Sequence, residues 1–196
     1  MVLPLVLFRR ERQGPFREFL KRRFERGPVL KRLRDMFFEA STEILDPDQL
    51  IIRLRDDLRE CEDHMVILSP FLNMNAVRKF VSLKEVKAAM DRGVRITVVT
   101  RPPKKGEIYE KSIKEHEKCI EYLKSSGLKV VERAKFHFKT VIVDAKIIYI
   151  GSINPLSVIT ITYVPADYML RFVSEALVDE IVDKTISREE YEKYLE

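Results

Sequence analysis

Six residues in the second half of the chain have the types and the spacing to work on a phosphoryl group: His137, Lys139, Asp144, Gly151, Ser152 and Asn154. They form the pattern His-x-Lys-x4-Asp-x6-Gly-Ser-x-Asn. Residues 137–144 and 147–151 are β-runs around Ala145-Lys146, and a two-residue turn there predicts an antiparallel hairpin. With 144 opposite 147, His137 faces Asn154 and Lys139 faces Ser152. Side chains two apart on a strand share a face, so a nucleophile, a cation and two hydrogen-bonding groups are expected on one patch the size of a phosphate. Asp144 lies at odd spacing from both His137 and Lys139, beside the turn, and is expected to brace the hairpin without touching substrate. Any one of these residues alone would read as ordinary surface; a bland hairpin has no need of all six.

The pattern resembles the HKD motif of the phospholipase D superfamily at every defining position. The α/β units before it resemble that family's domain, so the resemblance covers roughly residues 60 to 185 and is nearest to the small single-motif nuclease members. It implies an α/β fold, a phospholipase D-like sandwich with a mixed central sheet flanked by helices. It also implies a mechanism. His137 attacks phosphorus to form a covalent phosphohistidine, and a second histidine protonates the leaving oxygen and then activates water. Lys139 and Asn154 supply positive charge and donors where the phosphoryl oxygens gain charge, and Ser152 joins the catalytic set through its expected place opposite Lys139. No metal or other cofactor is implied. Asp144 and Gly151 take structural places in the motif. Family nucleases carry an acidic residue at the opening of the next strand, on the histidine's other nitrogen; Asp167, before Tyr168-Met169-Leu170-Arg171-Phe172, occupies that place. It is one methylene shorter than glutamate, and a surface turn or N-cap is its other reading.

One motif supplies one histidine, and the implied reaction needs two. The other histidines, His64 and His116, start no second motif and read as surface positions: His64 has Val66 two residues on, and His116 has Lys118 there but Leu123 where the aspartate would follow. Two chains are therefore expected to pair about a twofold axis, each giving one histidine to a shared site, as in small single-motif members such as the bacterial nonspecific endonuclease.

The elements that must position the motif are legible from local signals. Asp46-Pro47-Asp48-Gln49 reads as a helix start, with Asp at N-cap, Pro at N1 and Gln at N3, for a helix running to about Cys61. Met65–Leu68 and Arg95–Thr100 read as buried strands, and Leu128–Glu132 as a third. Asn75–Asp91 reads as a helix stopped by Gly93, with Ser82 and Glu85 as a capping box for a restart. A further helix is expected from Ile108 to Lys124, closed at Gly127. Tyr168–Val173 is expected as a strand and Ser174–Lys184 as the last helix. Strands alternating with helices predict parallel pairs covered by helices.

Residues 1–45 read as a basic helical segment preceding a catalytic domain over 46–196. Residues 9–34 hold eleven Lys or Arg against three Glu, a balance of +8 within a chain of net +5. Phe16, Phe19, Leu20 and Phe24 fall on one helical face and are assigned to packing. Arg9, Arg10, Arg17, Lys21, Arg22 and Arg23 are candidate phosphate contacts to nucleic acid, joined by Arg101, Lys104 and Lys105 after the second strand. The same helix could lie on an anionic membrane. No apolar run approaches the ~20 residues of a membrane span, the N-terminus does not read as a secretory signal, and Cys61 and Cys119 read as reduced thiols, all consistent with a cytoplasmic protein. Scarce Asn and Gln beside abundant Lys, Arg and Glu suggest heat adaptation. The function expected is a homodimeric, metal-independent nuclease. A phospholipase D-type lipid hydrolase is the alternative, supported by the apolar stretch Val158–Val164 and the basic N-terminus, and a non-catalytic nucleic-acid-binding subunit is the third.

Overall fold

Runs of β-branched residues build the middle of the fold, because chains of Val, Ile and Thr suit a pleated surface buried on both sides. The computed structural model describes residues 41–157 and 167–196. They belong to one unit, Ala40–Glu196. The basic segment with Arg9, Arg10, Arg17, Lys21, Arg22 and Arg23, and the stretch Val158–Val164, lie outside the described residues.

Seven strands form one mixed sheet: β1 (Ser41–Leu45), β2 (His64–Leu68), β3 (Arg95–Thr100), β4 (Lys129–Glu132), β5 (Lys139–Val143), β6 (Ile147–Gly151) and β7 (Met169–Val173). Their order is β1-β7-β6-β5-β2-β3-β4. β2, β3 and β4 are parallel, and every other pair is antiparallel. On one face, Ile67, Val98, Val141 and Tyr149 pack against helices α1 (Pro47–Glu60), α2 (Met74–Val81), α3 (Lys84–Asp91) and α4 (Ile113–Ser125). The other face is covered by α5 (Glu175–Ile181), a π-helical turn (Val182–Ile186) and α6 (Arg188–Leu195); Thr97 Oγ1, for example, donates to the Tyr194 carbonyl at 2.7 Å.

Local signals and structure agree at α1. Asp46 Oδ1 accepts the N–H groups of Asp48 and Gln49 at 3.0 and 2.8 Å, and Gln49 Oε1 accepts the Asp46 N–H at 3.1 Å, closing a capping box. The expected interruption of the 75–91 helix is present, but Ser82 does not start the second half. It ends α2, its N–H reaching the Arg78 carbonyl, and Leu83 opens α3 without a side-chain cap.

Four expectations need correction. Residues 41–45 are a strand of the sheet, paired with β7 from Ser41↔Val173 to Leu45↔Met169, and so belong with the domain that follows them. The expected helix over Ser174–Lys184 is present, as α5 running directly into the π-helical turn that ends at Ile186, but it is not the last. A further helix, α6, starts at Ser187, whose side chain accepts the Glu190 N–H at 3.3 Å. The two histidines read as surface are buried: His64 is 5% exposed and His116 is 2% exposed. Finally, the β5–β6 hairpin pairs one residue out from the expected register, with Val143↔Ile147 and Lys139↔Gly151. Asp144 and Ala145 both have positive φ (50° and 53°), and the Lys146 N–H closes the turn on the Val143 carbonyl at 2.9 Å. Asp144 is thus part of the turn, and one extra turn residue reverses which side chains share a face.

Candidate active site

The motif lies at the end of the sheet where the parallel strands β2 and β3 finish, the edge at which open α/β sheets present ligand sites. Ser69, fully buried at the end of β2, organises two of the loops there. Its hydroxyl donates to the Phe71 carbonyl at 2.9 Å and accepts the Leu156 N–H at 3.2 Å, while the Asn73 N–H reaches the Leu156 carbonyl at 2.9 Å. The loop after β2 and the loop carrying Asn154 are therefore one hydrogen-bonded unit.

His137 precedes β5 and is exposed; Lys139, the first residue of β5, is 8% exposed. The Lys139 ammonium donates to the His137 carbonyl at 2.7 Å and lies 3.0 Å from His137 Nδ1 and 3.3 Å from Nε2. Arg101, just beyond β3, completes the cluster. Its Nε donates to the Phe136 carbonyl at 2.7 Å and its Nη1 to the Glu107 carbonyl at 3.1 Å. His116 holds the Arg101 backbone, with Nε2 2.9 Å from the Arg101 carbonyl and 3.2 Å from Thr100 Oγ1. This role was hidden from sequence reading, because nothing local to helix α4 points to the end of β3.

The electrostatics follow from two cations beside one imidazole. The Lys139 charge, then partial burial, then Arg101 hold His137 below its ordinary value. Burial first, then Arg101, lower Lys139, and the Asp167 carboxylate opposes that shift. Each cation destabilises the other, so an anion placed between them removes a repulsion as well as gaining an attraction.

The other motif residues are placed differently. Asp144 sits at the far end of the hairpin. Its carboxylate accepts the N–H groups of Glu62, Asp63 and His64, each at 2.9 Å, and Cys61 Sγ lies 3.4 Å away. Burial opposes its ionisation, but the N–H groups of Glu62, His64 and Asp63 outweigh burial and hold it below the usual carboxylate range. Gly151 leaves no room for a side chain: a Cβ there would stand 2.1 Å from the Tyr168 carbonyl oxygen. Ser152 is not opposite Lys139. It pairs with β7, its N–H donating to the Tyr168 carbonyl at 3.0 Å and its Oγ accepting the Tyr168 N–H at 3.1 Å. Nor does Asn154 face His137 across the ladder, which ends at Lys139↔Gly151. Asn154 Oδ1 is buried and has no hydrogen-bond partner among the described residues. Asp167 acts on Lys139 and makes no hydrogen bond to His137 among the described residues. Lys104 and Lys105 are exposed, and Lys105 pairs with Glu110 at 2.7 Å, also in solvent.

A family model described as cardiolipin synthase, PLD-like domain, matches residues 54–157. That is more than half of the 196 residues. The chain belongs to the phospholipase D superfamily. Nuc, a phospholipase D family member from Salmonella typhimurium, superposes with a TM-score of 0.51 at 15% identity, over 74% of this chain and 89% of that one. NucT from Helicobacter pylori superposes with a TM-score of 0.50 at 14% identity, over 80% and 94%. Polyphosphate kinase from Porphyromonas gingivalis gives 0.52 at 14% identity, over 82% of this chain but 27% of that one. No curated protein matches by sequence. The PLD-like fold expected from the motif is thus present, with the class of activity that goes with it, phosphodiesterase chemistry. The matched range includes His137, Lys139 and Asn154 and stops before Asp167. No helix among the described residues is long and apolar enough to cross a membrane.

Proposed function

We propose that this chain is a metal-independent nuclease subunit whose active site is completed by a second copy. The observation that carries the proposal is the inequality of its histidines. His137 is exposed between Lys139 and Arg101, whereas His64 and His116 are buried and already hydrogen-bonded, His64 to Tyr191 Oη and His116 to the Arg101 carbonyl. A reaction needing two histidines finds one in each copy.

The chemistry runs as follows. A phosphodiester anion draws the Lys139 ammonium onto a non-bridging oxygen and frees the imidazole lone pair. His137 attacks phosphorus, an N–P bond forms, and the P–O bond to the leaving oxygen breaks. The second copy's histidine, entering protonated, gives its proton to that oxygen. Water then attacks phosphorus, passes its proton to the same histidine, and the N–P bond breaks. Arg101, which acts on both His137 and Lys139, and Asn154 would serve the phosphoryl oxygens where charge gathers. Asp167 would support Lys139 in its charged form, and Asp144 and Gly151 keep the hairpin in place. Arg9, Arg10, Arg17, Lys21, Arg22, Arg23, Lys104 and Lys105 would add sequence-independent phosphate contacts.

The test is cleavage of plasmid and single-stranded DNA and RNA in EDTA. The wild type is expected to cut at least one of them, and His137→Ala to lose activity on the order of 10⁴-fold while staying folded. Full activity in His137→Ala, or no cleavage of any nucleic acid by folded wild type, would refute the reading. The lipid alternative is favoured by one observation, the cardiolipin synthase description of the matched family. Release of a headgroup from anionic vesicles, without nucleic-acid cleavage, would establish it instead.

A further inference from the structure

Beside His137 stand two aromatic side chains, Phe71 and Tyr109, that the phosphoryl chemistry does not use. The Phe71 ring meets the His137 ring edge-on, centroids 6.3 Å apart at 75°. Tyr109 stacks on Phe71 at 6.2 Å with the planes 22° apart. The Arg101 guanidinium lies over the Phe71 ring at 5.2 Å. Phe71 is half-buried, but Tyr109 is 73% exposed, the most exposed large apolar side chain among the described residues. A ring this open gains little for the fold, since its area stays in water.

The loop that presents Tyr109 is nevertheless tied down on both sides. Ile108 is 5% exposed and packs inward. The Glu107 carbonyl accepts Arg101 Nη1, and the Glu107 carboxylate accepts the Lys135 N–H at 2.8 Å. On the far side, the Ser112 N–H reaches the Tyr109 carbonyl at 2.7 Å. Arg101 and Glu107 thus link the cation beside the nucleophile to the aromatic shelf beside it.

Resting on the nuclease reading above, we infer that Phe71 and Tyr109 form a stacking shelf for the base next to the scissile phosphate, and that the substrate is single-stranded nucleic acid. A base in a duplex has its faces covered by its neighbours, whereas an unpaired base can lay a face on Tyr109. The ring system is neutral and sequence-tolerant, so the shelf selects strandedness rather than sequence. Arg101 would bridge the two halves of one nucleotide, its charge toward the phosphate and its plane on the ring.

The test compares wild type, Tyr109→Ala and Tyr109→Trp. Binding of a fluorescent single-stranded oligonucleotide and of its duplex is read by anisotropy, and KM and kcat by cleavage of the same strands. Tyr109→Ala is expected to weaken single-strand binding on the order of 10-fold and raise KM in step, with a smaller effect on duplex. Tyr109→Trp is expected to restore both, because a ring and not a hydroxyl is required. Unchanged single-strand affinity in Tyr109→Ala, equal loss on duplex, or failure of Tyr109→Trp to rescue overturns the shelf. So does a Tyr109→Ala defect confined to binding of anionic phosphatidylglycerol vesicles, which would assign the ring to a lipid surface. Anisotropy keeps the two proposals apart. A wild type that binds single strands through Tyr109 without cutting them sinks the nuclease reading alone, and a wild type that cuts them regardless of Tyr109 sinks the shelf alone.

Discussion

The proposed attack on phosphorus needs an uncharged histidine, and the neighbours of His137 favour that form. Lys139 first, then burial, then Arg101 place the His137 equilibrium below the ordinary value of about 6.5. A lowered value means that the imidazole stays neutral to more acidic pH. The acid limb of kcat/KM, which reports the free enzyme, is therefore expected below about pH 6.5. Replacing Lys139 with Gln removes the largest cause, so the limb should move up toward the ordinary value while kcat falls on the order of 10²-fold. A pH–rate profile of the residual activity checks both. An acid limb unmoved by Lys139→Gln would show that the lysine charge does not govern His137.

At the scale of elements, the hairpin is held at both ends by different means. At the end that carries His137, Gly151 lets the chain entering β7 approach so closely that a Cβ would overlap the Tyr168 carbonyl. At the turn, Asp144 gathers three N–H groups from the segment between α1 and β2. Asp144→Asn keeps a residue that tolerates the positive φ of 50° and removes the charge that receives those bonds. A loss of about 1–3 kcal/mol is expected at neutral pH. The sign with pH follows from the lowered folded-state value of Asp144. Its stabilisation is present above the unfolded value of about 3.9 and is lost as pH falls through the folded one. Urea unfolding of both proteins across pH 2.5–7 is the measurement: the difference should shrink at the acid end, and a constant difference would contradict the brace.

At the scale of the whole molecule, the question is whether one chain suffices. If each active site takes His137 from two copies, a wild-type chain paired with a His137→Ala chain is inactive. Mixing wild type with increasing His137→Ala under conditions of subunit exchange should then lower activity per wild-type chain in proportion to the wild-type fraction. At a ninefold excess of variant, roughly a tenth of the activity per wild-type chain should remain. Activity per wild-type chain independent of the mixture would show that sites act alone. Sedimentation of the same samples establishes whether exchange has occurred.

The sequence by itself determined what depends on neighbours along the chain. The capping box at Asp46 and Gln49, the buried strands 65–68 and 95–100 and the motif's residue types all rest on interactions within a few positions, and they stand in the structure where periodicity and spacing put them. The PLD-like sheet was legible through the motif as well. What only the tertiary structure decided depends on groups far apart in the chain. Two positive-φ residues and one extra turn position shift the hairpin by one, and with a side-chain period of two that single step moves Ser152 from the Lys139 row to β7. His64 and His116 are surface in local pattern, yet Tyr191 and the Arg101 carbonyl bury and bond them from 127 and 15 residues away. The shelf of Phe71 and Tyr109 has no motif because its parts come from loops after β2 and β3 and meet at the sheet edge. Such contacts form only once the chain has closed around its core, and no local periodicity encodes them.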